Sequence, residues 1–181
     1  MMNDLLDIRV VVASPEDTRA IKEVFYTTWL ATYPNKEAGV TVEDVEYFYK
    51  DDFTEESLQK TREALANPKK ERTLLTAKDG YKVVGVCGVV RRSDRNQLHA
   101  IYVIPEYQGK GVGKLLWVAA QNYFDEGKDI VVEVATYNSN AIAFYEKLGF
   151  VDTGKRFSDE KFRMKSGAMI PEMEMILKTT S

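Results

Sequence analysis

The chain has 181 residues, a formal net charge of −3 and 44% hydrophobic against 29% charged side chains, a balance that suits one globular domain over residues 1–181 and leaves little room for a second core. The acidic surplus argues against a nucleic-acid partner, and no apolar run approaches a membrane span. The opening MMNDLLDIRV carries acidic residues where a secretory leader needs an apolar stretch, so the cytoplasm is the expected compartment.

In chain order, Ile8–Ala13 is a β-branched run that reads as a strand, and Ser14-Pro15 supplies a cap and a first-turn proline for a helix reaching about Leu30. Helical pieces follow around Val42–Tyr49 and Glu55–Ala66, joined to the first helix by a stretch carrying Pro34 and Gly39. TLLTAKDGYKVVGVCGVVR is two apolar strands meeting at Asp79-Gly80, a strong hairpin signal. Cys87, the only cysteine, lies inside the second of these strands and reads as core packing rather than as a nucleophile. Leu98–Ile104 is a further strand ended by Pro105, and a helix is predicted over roughly Val112–Glu126. IVVEVAT is a strand, NSNAIAFYEKL a short helix, and FVDTGKRF and MIPEMEMILK two closing strands. The order β-α-α-β-β-β-α-β-α-β-β describes an α/β (α+β) fold: a mixed, mainly antiparallel sheet of about seven strands flanked by about four helices.

Between the Leu98–Ile104 strand and its helix stands QGKGVGKLL, with Gln108, Gly109, Gly111 and Gly113. A glycine loop opening a helix is a generic phosphate cradle, because free N–H groups and the positive end of the helix dipole point the same way. The P-loop pattern fails, since Gln108 stands where its first glycine belongs and Leu115 follows Lys114; the dinucleotide pattern fails because its third glycine falls on Lys114 or Leu116. Q-x-x-G-x-G remains, with an ordinary glycine turn as the alternative.

The stretch L-H-A-I-Y-V-I-P-E-Y-Q-G-K-G-V-G-K-L-L, followed about thirty residues later by N-S-N-A-I-A-F-Y-E-K-L-G-F, resembles the two central motifs of the GNAT superfamily of N-acetyltransferases. The resemblance runs from Ile8 to Lys178 and is sharp from Leu98 to Phe150. It implies acetyl-CoA as co-substrate and no metal. It also implies that the pyrophosphate rests on the amides of Gly109, Gly111, Val112, Gly113 and Lys114, within the loop that Gln108 begins. The strand before the loop is expected to be bulged, with backbone groups of Ile101 and Val103 pairing with the pantetheine arm while IVVEVAT splays away. Asn140 is expected to hydrogen-bond the co-substrate, or else to cap its helix.

The resemblance implies direct acetyl transfer to a primary amine through a tetrahedral intermediate, which needs a base, an oxyanion donor and an acid for the thiolate. His99 is the only histidine, and L-H-A-x-x-V resembles family members whose histidine here is implicated in proton removal; strand alternation puts it on one face with Gln97, Ile101 and Val103. Its alternative is a structural histidine. Many relatives carry glutamate where Gln97 stands, which leaves His99, Glu133 or a water chain as base. The Val103 amide is the expected oxyanion donor and Tyr145 the expected acid, with aromatic packing as the alternative for Tyr145. The acceptor is expected between Trp29–Asp52 and Phe157–Ala168, where Tyr33, Glu37, Asp51, Asp52, Asp159 and Glu160 stand as cation partners or solvated surface groups. A polyamine, an amino-acid-like amine and a protein or peptide amine all remain open, and the resemblance allows a homodimer. The alternatives to catalysis are a non-catalytic acyl-CoA-binding or sensing module on the same fold, and a nucleotide-binding regulatory domain.

Overall fold

The computed structural model describes residues 7–179, so the reading of the leader region rests largely on residues outside the described ones. The strands are β1 Ile8–Val12, β2 Arg72–Asp79, β3 Lys82–Arg91, β4 Asn96–Val103, β5 Ile130–Ala135, β6 Val151–Phe157 and β7 Glu172–Leu177. The helices are α1 Thr18–Thr32, α2 Val42–Phe48, α3 Glu55–Ala66, α4 Val112–Ala120 and α5 Ser139–Lys147. Five helices therefore stand where about four were expected, because Val42–Phe48 and Glu55–Ala66 each carry their own threonine cap: Thr41 Oγ1 accepts from the Asp44 amide at 3.1 Å and Thr54 Oγ1 from Ser57 at 3.3 Å.

The seven strands form one sheet in the order β1-β2-β3-β4-β5-β7-β6. All neighbours run antiparallel except β4 and β5. Gly80-Tyr81 closes the β2–β3 hairpin at the expected place, with Asp79 opposite Lys82 and Gly80 at a φ of 57°. α1 packs on one face, where Phe25 meets Tyr102 of β4 edge-on at 5.3 Å. α4 packs on the other, where Leu116 and Val103 crowd Gly85 of β3 so closely that an added Cβ would stand 3.1 Å from Leu116. Leu75, Val84, Val86, Cys87, Leu98, Leu116 and Met175 are sealed between these layers, and burial lifts the Cys87 thiol to about 12, which leaves it inert as a nucleophile.

α4 stops at Ala120 and continues only as a 3-10 turn over Gln121–Tyr123, short of the Glu126 expected from periodicity. Tertiary hydrogen bonds win there. The buried Asn96 amide donates to the carbonyls of Asp125 and Lys128 at 2.9 and 3.2 Å, and its oxygen accepts from the Asp125 amide at 2.9 Å. These bonds pull the segment out of helical geometry before Gly127.

Candidate active site

β4 and β5 pair only through Asn96–Leu98 against Ile130–Val132. Beyond Leu98 the two strands part. At the same point β4 carries a bulge: Gly88 faces Ala100 and Val89 faces Leu98, so His99 is the extra residue. The Ile104 amide donates to the Val84 carbonyl at 3.0 Å, so alternation turns the backbone groups of Ile101 and Val103 away from β3 and into the gap. The Val103 carbonyl accepts there from Gln108 Nε2 at 2.9 Å.

The Tyr145 hydroxyl meets the gap from α5, beside the Ile101 amide, while the Tyr145 ring packs edge-on against Phe150 at 5.6 Å. Burial pushes its phenol far up, so it stays protonated throughout the neutral range. At the far end of the gap Gly109 and Gly111 adopt φ of 72° and 85°, and the first helical bond of α4 runs from Leu115 to the Gly111 carbonyl. The amides of Val112, Gly113 and Lys114 therefore open the helix with no side-chain cap. That is the donor set a pyrophosphate needs. Gly113 serves packing as well, because a Cβ there would lie 3.4 Å from the Phe144 ring.

On the α1 face a cavity of about 170 Å³ opens beside the gap. Phe25, Trp29, Tyr33, Phe48, Tyr49, Tyr102, Phe162 and Ile170 form its walls, and His99, Glu133, Lys161 and Glu172 supply its ionisable groups. Trp29 and Phe48 stack at 5.0 Å with 10° between their planes, and Phe162 closes on Trp29 edge-on at 5.4 Å. Tyr33 and Tyr102 share a hydroxyl contact at 3.1 Å, and the Tyr137 hydroxyl donates to the Tyr33 carbonyl at 2.9 Å. Asp44 fixes the loop before β7 onto α2 by accepting from the Ser166 amide and hydroxyl at 2.9 and 2.8 Å.

Glu172 is 8% exposed, and its Oε2 has no hydrogen-bond partner among the described residues. Two residues along the same strand face, Glu174 is paired, with Lys155 at 3.2 Å and Arg95 at 3.9 Å. Burial, and then the Glu133 carboxylate, lift Glu172 to about 7. Partial desolvation by the cavity walls, followed by the positive charges of Lys161, Arg72 and Arg92, lowers His99, whose ring opens to solvent at the cavity mouth. The imidazole is thus neutral at pH 7.

The bulge corrects one expectation. His99 lines the cavity with Tyr102, whereas Ile101 lies against Gly113 and Val103 against Gly85 on the α4 side. The reason for choosing Val103 as oxyanion donor also falls away, since the bulge is at His99 and the amide beside Tyr145 is that of Ile101. Asn140 is exposed and Asn138 caps α5, accepting from the Ala141 amide at 3.1 Å. Gln97 is buried and receives both Nε and Nη2 of Arg92 on its oxygen at 2.9 and 2.7 Å.

Both stretches expected to flank the acceptor do line the cavity, but their carboxylates do not. Asp52 holds Lys22 at 3.0 Å, Asp159 holds Lys161, Glu160 holds Arg163 at 2.7 Å, and Glu37 and Asp51 are exposed. Each of the paired carboxylates already has a cation of its own. The acidic groups of the site are Glu133 and Glu172, and Glu172 was missed. The signal was present in P-E-M-E-M-I-L, where two glutamates alternate with methionines that face the core.

Residues 30–169 match the family model described as an acetyltransferase (GNAT) domain, which is most of the chain, and the chain belongs to that family of N-acetyltransferases. It is 34% identical over 84 residues to the N-alpha-acetyltransferase RimI of Mycobacterium tuberculosis, a match covering 44% of this chain and 52% of that protein, so it spans about half the length of that curated relative. Among solved structures it is similar to the PaiA N-acetyltransferase of Thermoplasma acidophilum in complex with coenzyme A, with a TM-score of 0.72, 22% identity and coverage of 96% of this chain and 99% of that one. It is likewise similar to YncA of Salmonella typhimurium with acetyl-CoA, at a TM-score of 0.63, 20% identity and coverage of 97% and 95%. Among the described residues no cluster of ligating side chains suits a metal ion, and no helix is long and apolar enough to cross a membrane.

Proposed function

We propose that the protein transfers the acetyl group of acetyl-CoA to a primary amine. The observation that carries the reading is the β4–β5 gap, with uncapped loop amides at one end and the Ile101 amide beside a buried tyrosine at the other. Acetyl-CoA, when bound, supplies the acyl carbon and a thiolate leaving group.

The chain's residues divide the rest of the work. Gly109, Gly111, Val112, Gly113 and Lys114 hold the pyrophosphate, Ile101 and Val103 pair with the arm, and Asn140 reaches it from α5. An alkylamine, with a pKa of about 10, must first lose a proton, and His99, neutral and open to the cavity, or Glu133 accepts it, directly or through water. Nitrogen bonds to the acyl carbon, the Ile101 amide stabilises the developing oxyanion, and the C–S bond breaks. Tyr145 then donates its proton to the departing sulfur and recovers one from the nitrogen. One such oxyanion donor is worth about 3 kcal/mol.

Acetyl-CoA should raise the melting temperature where NAD and ATP do not, since a ligand that binds only the native state stabilises it by mass action. Thiol release with a panel of amines then tests turnover. Stabilisation by ATP alone would overturn the reading, and CoA binding with no turnover on any amine would leave a non-catalytic binding module.

A further inference from the structure

The cavity has an acidic side and an aromatic side. Its acidic groups, Glu133 and Glu172, stand on adjacent strands at the gap, Glu172 opposite Ala135 of β5. The other end is the stacked pair Trp29 and Phe48 with Phe162 across it. A buried carboxylate oxygen without a partner is costly unless a cation or donor arrives to meet it, and Glu172 Oε2 is such an atom while its neighbour Glu174 has two cations of its own. The volume, about 170 Å³, is ring-sized: an apolar cavity of about 150 Å³ holds one benzene. The rim carries both signs: Lys161 lines the cavity in an ion pair with Asp159, and Arg72 and Arg92 are near enough to act on His99.

We propose that the acceptor is a primary amine carrying a single positive charge on a flat apolar body, its ammonium held by Glu172 and Glu133 and its body lying among Trp29, Phe48 and Phe162. The inference rests on the acetyl-transfer reading and narrows its acceptor. A polyamine fits poorly, because the first ammonium takes both carboxylates of the cavity and the remaining walls around a second one are mainly aromatic. The aromatic faces suit both parts of the proposed ligand, since rings attract a nearby cation and stack on a flat apolar group. Glu172 is then a group that touches substrate, placed to take the ammonium's proton and share it with His99 or Glu133 beside it in the cavity before nitrogen attacks the acyl carbon.

The test is acetyl-CoA-dependent thiol release by the full chain with phenethylamine, propylamine, 1,4-diaminobutane and a short peptide with a free amino terminus. Wild type, Glu172→Gln and Phe48→Ala are compared, with the melting shift given by acetyl-CoA recorded for each. Phenethylamine should show the highest kcat/KM. Glu172→Gln should lower it by roughly 10²-fold or more, the range of a positioned proton acceptor. That variant should also lose the acid limb of the kcat/KM profile, which a merely structural glutamate would leave in place. Phe48→Ala, at a position 37% exposed, should raise KM for phenethylamine about tenfold while propylamine changes less than twofold. If acetyl-CoA stabilises all three proteins but the diamine or the peptide is the better acceptor, or Glu172→Gln turns over normally, the proposal is overturned while the parent reading stands. If acetyl-CoA stabilises none of them, the parent reading fails first.

Discussion

Tyr145 shows how one side chain can be both core and chemistry. Its ring belongs to the packed interior and only its hydroxyl reaches the gap, so Tyr145→Phe keeps the packing and removes the proposed acid. The expected result is a loss of about 10²–10⁴-fold in kcat with acetyl-CoA affinity nearly unchanged, since a hydrogen bond to a neutral sulfur is weak in the ground state. A fall of less than threefold with chemistry limiting would move the acid role to another group. Glu172 and Asp44 give opposite signatures in stability against pH. Glu172 binds its proton more tightly folded than unfolded, so stability should drop as pH rises from about 4.5 towards 7. Burial alone would raise Asp44, but donors from Ser166 and Thr41 outweigh it and hold the carboxyl below its ordinary value; its contribution is present above that ordinary value and lost on acidification. Glu172→Gln should therefore flatten the decline in melting temperature between pH 5 and 8 and leave the acid side intact. An unchanged decline would show that the carboxyl is ionised in the native state at no cost. Tyr145 was legible in the sequence because it sits in a motif with fixed spacing; Glu172 was not, because an alternating glutamate on a central strand looks like a solvated face until α1 and α2 are seen to cover it.

At the scale of elements, the helix-opening loop is the part the sequence announced most clearly, since glycines there answer to backbone geometry alone. Gly111 lies at a φ of 85° with open space around it, so Gly111→Val meets no clash but enforces a left-handed conformation that costs about 1–3 kcal/mol. It also points a side chain where phosphate must approach. Acetyl-CoA affinity is expected to fall at least tenfold with a modest drop in melting temperature, read by titration of the folded variant; unchanged affinity would remove the loop from the binding site. The bulge in β4 was expected but its position was not legible. No residue type marks it, because His99 is a poor signature for an extra residue and the register is set by Gly88, whose missing Cβ leaves room for the His99 side chain: an added Cβ would stand 3.2 Å from His99 Cβ. From that one offset follow the wrong face for Ile101 and Val103 and the move of the proposed oxyanion donor from Val103 to Ile101. The short α4 was illegible for a related reason, its end being set by Asn96 hydrogen bonds from a distant strand.

For the molecule as a whole, three rungs decide how the sheet holds together. β1–β4 form one antiparallel ribbon and β5, β7 and β6 another, and the strand ladder between the two is confined to Asn96–Leu98 with Ile130–Val132. Hydrogen exchange reads this directly. The Ile101 and Val103 amides, turned into the gap, should exchange rapidly in the free protein and at least tenfold more slowly with acetyl-CoA bound, while the Cys87 amide inside β3 stays slow in both. Equal rates with and without the ligand would mean that nothing lies along β4. Such a layout makes the molecule two plates riveted at one corner, with a crease running from the rivet to the glycine loop. An extended guest laid in the crease ties plate to plate along its length, so the free protein should be the more pliant form and each release of the guest should return it to that state.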